Sequence, residues 1–277
     1  VIIAPQRAKR PGAKDVHPES PPTPEEVERC PFCEGREDRT PPEVFAVAPG
    51  ERQPDTPGWL VRVVPNLYPA FEHQEVIVHS PRHVRSLAKL ADAELDAVAT
   101  AWSARLQAGR VEGRWPYLFV NEGHEAGASL PHSHSQLAWL PEAPPAVAAE
   151  LPNLAKAACA LCELLADDTL EIAFDSSVTL RAAYAPRVPY EALIAPLEHA
   201  PAPSEADLRA VLTLLRRAAG RLRDHEGPIA FNVWLHAGEH WHFEVVPRIS
   251  ELAGIELGAE LYVNWLPPEE AAARLRA

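Results

Sequence analysis

Two stretches of the chain carry apolar residues at helical spacing. Between residues 86 and 108 the apolar positions recur every three to five residues, which predicts a helix with one buried face. A second long helix is predicted from about Ser204, because Ser204 and Asp207 form a capping-box-like start to another apolar stripe. Shorter helices are predicted over residues 153–166 and after Pro268.

Several short apolar runs have the composition of strands and alternate with these helices. The order is roughly β-β-β-α-β-β, repeated once. Residues 1–58 are rich in proline and charge, so we expect them to be mostly irregular. The predicted strands span residues 59–64, 75–79, 117–121, 170–174, 178–184, 190–196, 229–235 and 241–246.

The two halves also share an ordered set of cysteines and histidines. Residues 75–83, EVIVHSPRH, align without gaps on residues 191–199, EALIAPLEH. Each of these segments follows a C-x-x-C pair and precedes an H-x-H pair. We therefore predict an α+β protein of two tandem repeats, each made of strands and packed helices. A proline-bounded junction divides them into domains at 1–145 and 146–277.

Each ordered set has the composition of a tetrahedral zinc site, for which thiolate and imidazole are preferred ligands. The first site would consist of Cys30, Cys33, His83 and His132, and the second of Cys159, Cys162, His199 and His240. Two alternatives stay open. The pair Cys30 and Cys33 could be a redox motif, and Cys159 and Cys162 could be small core residues of an alanine-rich helix.

The segment GASLPHSHSQLAW, residues 127–139, combines metal-type and reactive side chains. His132, His134 and Gln136 occupy every second position, so in a strand they share one face. If His132 binds metal, His134 is held beside it and can act as a nucleophile toward phosphorus. The Gln136 amide can donate to a phosphate oxygen, and Gly127 and Ser129 allow a phosphate to approach.

The second H-x-H pair, HWHFEV, has a different environment. Phe243 and Glu244 replace the serine and glutamine of the first half, so we expect the second half to be non-catalytic. His236 lies close by in sequence and could be an additional ligand or a strand end, and we favour the strand end.

Charge and composition restrict the classes of function. The chain of 277 residues has a formal charge of −13, which argues against general nucleic-acid binding. No apolar run is long enough to span a bilayer, so we expect no membrane association and a cytoplasmic location. A basic cluster, QRAKRP, contains Arg7 and Arg10 and is by itself typical of a solvated chain end.

The sequence resembles the galactose-1-phosphate uridylyltransferase family of the histidine-triad superfamily. Its H-x-H-x-Q motif with an upstream N-x5-G-x-S is specific to that family. The matching segments follow one another along nearly the whole chain. They are QRAKRP (6–11), CPFC (30–33), VVPNLYPA (63–70), SPRH (80–83), NEGHEAGASLPHSHSQ (121–136) and ELGAELYVNWLPPEEAA (256–272).

The resemblance implies two histidine-triad-like domains, each an antiparallel sheet with packed helices. One domain would be catalytic and the other degenerate, and the family usually forms a homodimer. It implies ping-pong transfer of UMP from UDP-glucose to galactose 1-phosphate through a nucleotidyl-histidine intermediate on His134. The substrates would be a nucleotide sugar and a sugar 1-phosphate. Gln136 would contact the phosphoryl oxygens, with Asn121 and Ser129 nearby.

Further roles follow from the same resemblance. Arg7 and Arg10 would lie near the phosphates, Asn66 would contact the nucleoside, and Glu260 falls in a region that contacts the sugar phosphate. Cys30, Cys33, His83 and His132 match the structural zinc site of the family.

The sequence departs from the family pattern at three positions, of which Leu67 and Gly254 affect the choice of substrate and Ser133 is a mild change. Ser133 stands where well-known members have proline, Leu67 where some have an acidic residue that contacts the ribose, and Gly254 where some have a lysine for the acceptor phosphate. The base and the sugar therefore stay open. The alternatives are an ADP-sugar or other nucleotide-sugar phosphorylase or adenylyltransferase, a nucleotide-sugar hydrolase, and a zinc-stabilised binding module without turnover.

Overall fold

The computed structural model describes residues 1–9 and 21–277 of the chain. Its strands are β1 (Ile2–Ile3), β2 (Phe45–Val47), β3 (Val61–Pro65), β4 (Gln74–Val78), β5 (Trp115–Glu122), β6 (His134–Leu140), β7 (Glu171–Asp175), β8 (Val178–Ala182), β9 (Ala192–Pro196), β10 (Phe231–His236), β11 (His242–Pro247) and β12 (Val263–Asn264). Its α-helices are α1 (Pro24–Arg29), α2 (Asp92–Val111), α3 (Pro145–Leu154), α4 (Ala160–Leu165), α5 (Glu205–Glu226), α6 (Gly254–Ala259) and α7 (Pro268–Arg276).

One antiparallel sheet of ten strands runs through both halves of the chain. Its order is β2-β3-β4-β6-β5-β10-β11-β9-β8-β7. Counted from each edge to the centre, the strands of the two halves follow the same order, β2-β3-β4-β6-β5 and β7-β8-β9-β11-β10. The halves meet where β5 pairs with β10, with Asn121 opposite Asn232. The predicted α+β class with repeated antiparallel units is confirmed. The predicted domain boundary at residue 145 stays a prediction, and the sheet is continuous across the two halves.

The helices α2 and α5 occupy equivalent positions in the two repeats and pack against each other and against the sheet. Both halves contribute to one large core. Trp102 of α2 stacks on Phe243 of β11, with ring centroids 6.0 Å apart and planes at 16°. The α2–α5 face of the sheet therefore joins the repeats. Ser135 of β6 contacts Trp102 of α2, so its neighbours His134 and Gln136 occupy the opposite face. No helix within the described residues is long and apolar enough to cross a membrane.

The described residues before position 59 are mostly irregular, as expected, but they contain a few short elements that were not predicted. Helix α1 begins after Thr23, whose side chain accepts a hydrogen bond from the backbone N–H of Glu26 at 3.1 Å, and Pro24 occupies its first turn. This is a standard helix start. The strand β1 also departs from the prediction, because it pairs in parallel with β12 near the other end of the chain and forms a separate two-stranded sheet.

Both mid-chain helix predictions are correct in part, but the first begins too early and the second is interrupted. The predicted helix over residues 86–108 contains a short 3-10 turn at Leu87–Lys89 and then α2 from Asp92, because the Glu94 carboxylate binds the N–H of Ala91 at 2.7 Å and caps the helix there. The predicted helix over residues 153–166 is broken between α3 and α4, and Cys159 is the N-cap of α4. This break removes the alternative in which both cysteines lie within one continuous helix.

Gly109 on α2 lies against Trp139 of β6, and we expect Gly109→Ala to destabilise the protein. A Cβ at this position would lie 2.4 Å from the indole nitrogen of Trp139. Alanine normally stabilises a helix interior by about 0.5–1 kcal/mol relative to glycine, but overpacking typically costs about 1–3 kcal/mol. We expect a net loss of about 1 kcal/mol or more in the free energy of unfolding, measured by urea denaturation.

Gly220 on α5 is the matched control. A Cβ there would have no neighbour within 4 Å, so Gly220→Ala should raise the free energy of unfolding by about 0.5–1 kcal/mol. Equal effects of the two substitutions on the free energy of unfolding would show that the contact with Trp139 does not exclude a side chain at position 109.

Candidate active site and metal clusters

The ring of His134 is fixed through one nitrogen and free at the other. Its Nδ1–H donates to the carbonyl oxygen of His132 at 2.7 Å. In a neutral imidazole the lone pair then lies on Nε2. Burial lowers the pKa of His134, which favours the neutral form. Within the described part of the chain, Nε2 has no hydrogen-bond partner, so this nitrogen can act as a nucleophile.

The peptide unit before His134 is itself held in place. The N–H of Ser133 donates to the carbonyl oxygen of Val84 at 2.6 Å. The carbonyl of His132 belongs to the same planar peptide, so its direction is set by that hydrogen bond. Strand β6 begins only at His134, and His132 lies in the turn before it. Phe32 still contacts both rings, at centroid distances of 6.1 Å and 5.4 Å.

The first predicted set of metal ligands converges in the structure. Cys30, Cys33, His83 and His132 offer ligand atoms that lie within 4.8 Å of one another. The three sulfur-to-Nδ1 distances are 3.4, 3.3 and 3.7 Å. Tetrahedral zinc, with Zn–S of about 2.3 Å and Zn–N of about 2.0–2.1 Å, requires an S···N separation of about 3.5 Å. The four donors therefore fit a zinc ion.

The Nε2 atoms of His83 and His132, which face away from the cysteines, are hydrogen-bonded to oxygens. His132 Nε2–H donates to the Ser80 carbonyl at 2.9 Å, and His83 Nε2–H to the Glu26 carboxylate at 2.8 Å. Each ring therefore presents its Nδ1 lone pair to the cysteines, which is how ligating histidines are usually oriented. A hydrogen bond from Arg85 lowers the pKa of Glu26 and keeps it ionised. Burial raises the pKa of Cys33 to about 12, and a bound cation would favour the thiolate instead.

The second predicted set also converges. Cys159, Cys162, His199 and His240 satisfy the same 4.8 Å criterion. The Nδ1 of His240 lies 3.3 Å and 3.4 Å from the two sulfurs, and that of His199 lies 3.6 Å from Cys162. The His240 Nε2–H donates to the Pro196 carbonyl at 3.2 Å, which repeats the orientation of His132. The two clusters thus occupy equivalent positions in the two repeats.

A third cluster, not predicted from the sequence, lies beside the second. Glu150, His236 and His242 bring three potential ligand atoms within 4.8 Å of one another. His236 is the last residue of β10, as predicted, and also an ion-pair partner of Glu150. Trp234 donates to the other nitrogen of His236 at 2.9 Å. The three side chains could hold a cation. Without one, both ring nitrogens of His236 already have partners, Glu150 and Trp234.

A network of amides fixes the orientation of Gln136. Its Oε1 accepts from Asn66 Nδ2 at 3.1 Å and from Gln74 Nε2 at 2.7 Å. The backbone N–H groups of Tyr68 and Ala70 bind the oxygens of Asn66 and Gln74, which determines how those amides are turned. The NH₂ of Gln136 is consequently the end left for a ligand.

Asn121 is oriented from the other repeat. Asn232 donates both hydrogens of its amide, one to Asn121 Oδ1 and one to the Ala126 carbonyl, each at 2.8 Å. The NH₂ of Asn121 is therefore available. Asn121 and His134 line one narrow pocket, with Arg85 at its edge.

The other predicted substrate residues fall in three places. Gly127 adopts φ +87 after a short 3-10 turn, and Ser129 is exposed in the same loop before His132. Arg7 and Glu260 lie next to the β1–β12 pair, and no hydrogen bond or ion pair between described residues joins them to His134 or Gln136. Arg10 lies outside the described residues. A roomier cavity, about 320 Å³, contains none of the predicted site residues.

The second repeat lacks the amide donor. Glu244 takes the place of Gln136 and forms an ion pair with Arg187. Glu150 Oε2 lies 3.9 Å from His242 Nε2, the nitrogen equivalent to the free one of His134. Two carboxylates thus lie near His242, whereas the first repeat has the amide of Gln136 beside His134. That this half is non-catalytic stays a prediction.

Comparisons with known proteins bear on this arrangement. Residues 69–144 match the family described as galactose-1-phosphate uridyl transferase, N-terminal domain. An ADP-glucose phosphorylase of Arabidopsis thaliana is 30% identical over 321 aligned positions, covering 100% of this chain and 89% of that protein. A galactose-1-phosphate uridylyltransferase of Thermotoga maritima is 26% identical over 73% of each chain.

Solved structures of an ADP-glucose phosphorylase and of a uridylyltransferase are also similar to this chain. The crystal structure of an ADP-glucose phosphorylase from Arabidopsis thaliana with bound ADP-glucose has a TM-score of 0.83 at 27% identity, covering 99% of this chain and 94% of that one. A uridylyltransferase structure has a TM-score of 0.77 at 25% identity, covering 94% and 93%.

Two histidine-triad repeats that share one sheet, with H-x-H-x-Q kept in the first alone, place the molecule in the two-repeat class of the histidine-triad superfamily. Within that class the extent of the full-length similarity decides the family. The chain belongs to the galactose-1-phosphate uridylyltransferase family of nucleotidyl-transferring enzymes.

Proposed function

We propose that the protein is an ADP-sugar phosphorylase that transfers an adenylyl group through His134. The observation that carries this proposal is the similarity of the whole chain to a protein named ADP-glucose phosphorylase. Similarity to the uridylyltransferase covers less of the chain at lower identity. The order of the two readings from the sequence is therefore reversed, and the ADP-sugar alternative now precedes uridylyl transfer to galactose 1-phosphate.

The reaction balances in two displacements at the same phosphorus. Nε2 of His134 attacks the α-phosphorus of ADP-glucose, the bond to the bridging oxygen breaks, and glucose 1-phosphate leaves. Inorganic phosphate then attacks the α-phosphorus of the adenylyl-histidine, the P–N bond breaks, and ADP leaves with the lone pair restored to Nε2. Splitting the transfer in this way replaces one difficult displacement by two easier ones.

The surrounding amides have roles that follow from their orientation. Gln136 and Asn121 each present an NH₂ group on the side of His134, where charge develops on the phosphoryl oxygens. Asn66 and Gln74 hold Gln136, so in this chain Asn66 acts through Gln136 in addition to any contact with the nucleoside. Gly127 and Ser129 lie in the loop next to the pocket and would receive the phosphates.

Zinc is the metal that we propose for both Cys/His clusters. When bound, it would lock the thiolates and imidazoles together without an open coordination position. At the first cluster, Cys30, Cys33, His83 and His132 would hold it, so that the His132 carbonyl is fixed for His134. At the second, Cys159, Cys162, His199 and His240 would hold it and fix the counterpart repeat.

We propose that Arg7, Arg10 and Glu260 act across a homodimer interface. Arg7 and Glu260 lie next to the small β1–β12 sheet, in a region where Ile2 of β1 and Leu257 of α6 are exposed, Leu257 at 71%. A second exposed apolar patch at Leu67 and Tyr68 lies beside the Gln136 network. Contiguous exposed apolar patches mark association sites, and a two-fold dimer would bury both while bringing Arg7 and Glu260 of one protomer to His134 of its partner.

A donor and acceptor panel tests the proposed function. ADP-glucose and UDP-glucose are each incubated with the purified protein alone, with inorganic phosphate, and with galactose 1-phosphate. We expect the fastest turnover with ADP-glucose and phosphate, giving ADP and glucose 1-phosphate in equal amounts. Turnover that requires UDP-glucose and galactose 1-phosphate would support the uridylyltransferase instead. Steady release of AMP without an acceptor would support a hydrolase, and no turnover with any pair would leave a binding module.

A further inference from the structure

A buried polar network lies behind the nucleophile, on the α2–α5 face of the sheet. His79 is completely buried, and its Nδ1 and Nε2 lie 2.9 Å from Ser133 Oγ and 3.0 Å from Ser135 Oγ. Trp102 Nε1–H donates to the same Ser135 oxygen at 2.8 Å. The two serines flank His134 in the chain, so one imidazole bridges the residues on both sides of the nucleophile.

Donors and acceptors in this network can be assigned. Ser135 is fully buried and already accepts from Trp102, so its hydroxyl is satisfied if it donates to Nε2 of His79. His79 Nδ1–H then donates to Ser133. Burial lowers the pKa of His79 well below its usual value, so the ring stays neutral as this assignment requires. The His79 backbone N–H also donates to the Ser133 carbonyl at 3.2 Å.

The second repeat shows that the fold does not need this network. In the ungapped alignment of the repeats, Ala195 occupies the position of His79. Trp241 and Phe243 occupy the positions of Ser133 and Ser135, and all three are buried. The same place in the sheet is thus filled by apolar side chains in the repeat that lacks the catalytic glutamine. Burying polar groups in a core costs free energy unless every one is paired, so the first repeat retains them for a reason other than packing.

The hydrogen bond within the H-x-H segment is also shorter in the first repeat, which has the polar network, than in the second, which lacks it. The hydrogen bond from His134 Nδ1 to the His132 carbonyl is 2.7 Å long, whereas the equivalent one from His242 to the His240 carbonyl is 3.4 Å. The tighter contact occurs where the flanking serines are held by His79. Position errors of about 1 Å at a reacting group can cost about 10²-fold in rate.

We propose that His79 is a positioning residue, which holds Ser133 and Ser135 and thereby aims Nε2 of His134 at the α-phosphorus. It does not touch the substrate, since it lies on the other face of the sheet. Ser133 has no ring to fix its backbone, and its side chain is restrained by the hydrogen bond with His79. This inference deepens the proposed function and rests on His134 forming a nucleotidyl intermediate.

Three substitutions at His79 separate the two hydrogen bonds. His79→Phe removes both hydrogen bonds. His79→Asn places an amide near the Nδ1 position and keeps the hydrogen bond to Ser133. His79→Gln places an amide near the Nε2 position and keeps the hydrogen bond to Ser135. We expect His79→Phe to lower kcat and the single-turnover rate of protein labelling by about 10–100-fold with KM changed less than about threefold. His79→Asn should recover most of this loss, because Ser133 adjoins the peptide that binds His134.

Ser133→Ala provides a variant with less risk to folding, and Ser103→Ala on α2 is its matched control for loss of a buried, hydrogen-bonded hydroxyl. Metal content, melting temperature and the NMR signal of the His134 Nδ1 proton are measured for each variant. We expect Ser133→Ala and His79→Phe to shift that proton signal while the metal content stays that of the wild type, and Ser103→Ala to leave it unchanged.

The outcomes separate this inference from the proposed function. If the wild type is labelled from ADP-glucose or UDP-glucose but His79→Phe and Ser133→Ala label at the wild-type rate, the positioning role is refuted and the function stands. A loss of rate that only follows a loss of folded protein or of metal would also refute it. If the wild type is labelled by neither donor, the proposed function fails, and the positioning role fails with it.

Discussion

Replacement of His134 by asparagine should abolish turnover and covalent labelling together. Asparagine keeps a donor near the Nδ1 position but has no Nε2 lone pair, so the attack on the α-phosphorus cannot occur. Loss of a covalent nucleophile in other enzymes lowers kcat by about 10⁴–10⁶-fold, and we expect a loss of at least about 10⁴-fold. Labelling with ADP-glucose that carries radioactive phosphorus at the α position, followed by gel electrophoresis, measures it directly.

His242→Asn is the matched control, since His242 holds the equivalent position in the second repeat and is equally buried. Glu150 and Glu244 face this site with negative charge, so we expect His242→Asn to be labelled at nearly the wild-type rate. Labelling of His134→Asn at the wild-type level would refute the assignment of the nucleophile, and loss of labelling only in His242→Asn would exchange the roles of the two repeats.

Removal of one cysteine from each cluster should distinguish a metal site that supports catalysis from one that supports only the fold. Cys30→Ser and Cys159→Ser should each lose about one zinc ion per chain by atomic spectroscopy. Structural zinc contributes several kcal/mol or more to folding, so each substitution should lower the melting temperature by on the order of 10 °C.

The two variants should differ in activity. Cys30→Ser releases His132, whose carbonyl binds His134, and we expect kcat to fall about 100-fold or more even in the folded fraction. Cys159→Ser loosens the counterpart repeat and should retain kcat within about threefold. Retention of all metal in both variants would show that the cysteines are not ligands, and equal losses of kcat would show that the first cluster has no special relation to His134.

The sequence predicted the parts of the site that depend on distinctive residue types in a fixed order. Cysteine pairs, His83 and the H-x-H pairs consist of scarce residues, and their repetition in both halves predicted the two clusters that the structure brings together. The same pattern made His134 the candidate nucleophile. Eight of the twelve described strands were also predicted within about two residues, because each is a short apolar run between turn-forming residues. The short strands β1, β2 and β12 were not predicted. Alternation along β6 correctly indicated that His134 and Gln136 face the same way.

The residues that orient the site could not be predicted in this way. Gln74 and Asn232 are ordinary polar residues whose partners lie 62 and 111 positions away in the chain. Such pairs arise only from strand register, which a single sequence does not specify. Glu26, which binds His83, lies on α1, a helix that was not predicted although its Thr-Pro-Glu-Glu start has the composition of a helix N-terminus. His79 was visible in the repeat alignment but had no partner until the sheet was known.

The pairing of β5 with β10 limits how the enzyme can move. Backbone hydrogen bonds join the two repeats along four residue pairs, from Glu122 opposite Phe231 to Phe119 opposite Trp234. A hinge between the repeats would have to break these bonds and separate Trp102 from Phe243, so closure of one half over the other is not available for admitting substrates. In a ping-pong reaction the sugar phosphate must leave before the acceptor enters. That exchange must instead occur by local motion of surface loops, such as residues 123–131 next to the pocket, while the ten-stranded sheet stays rigid.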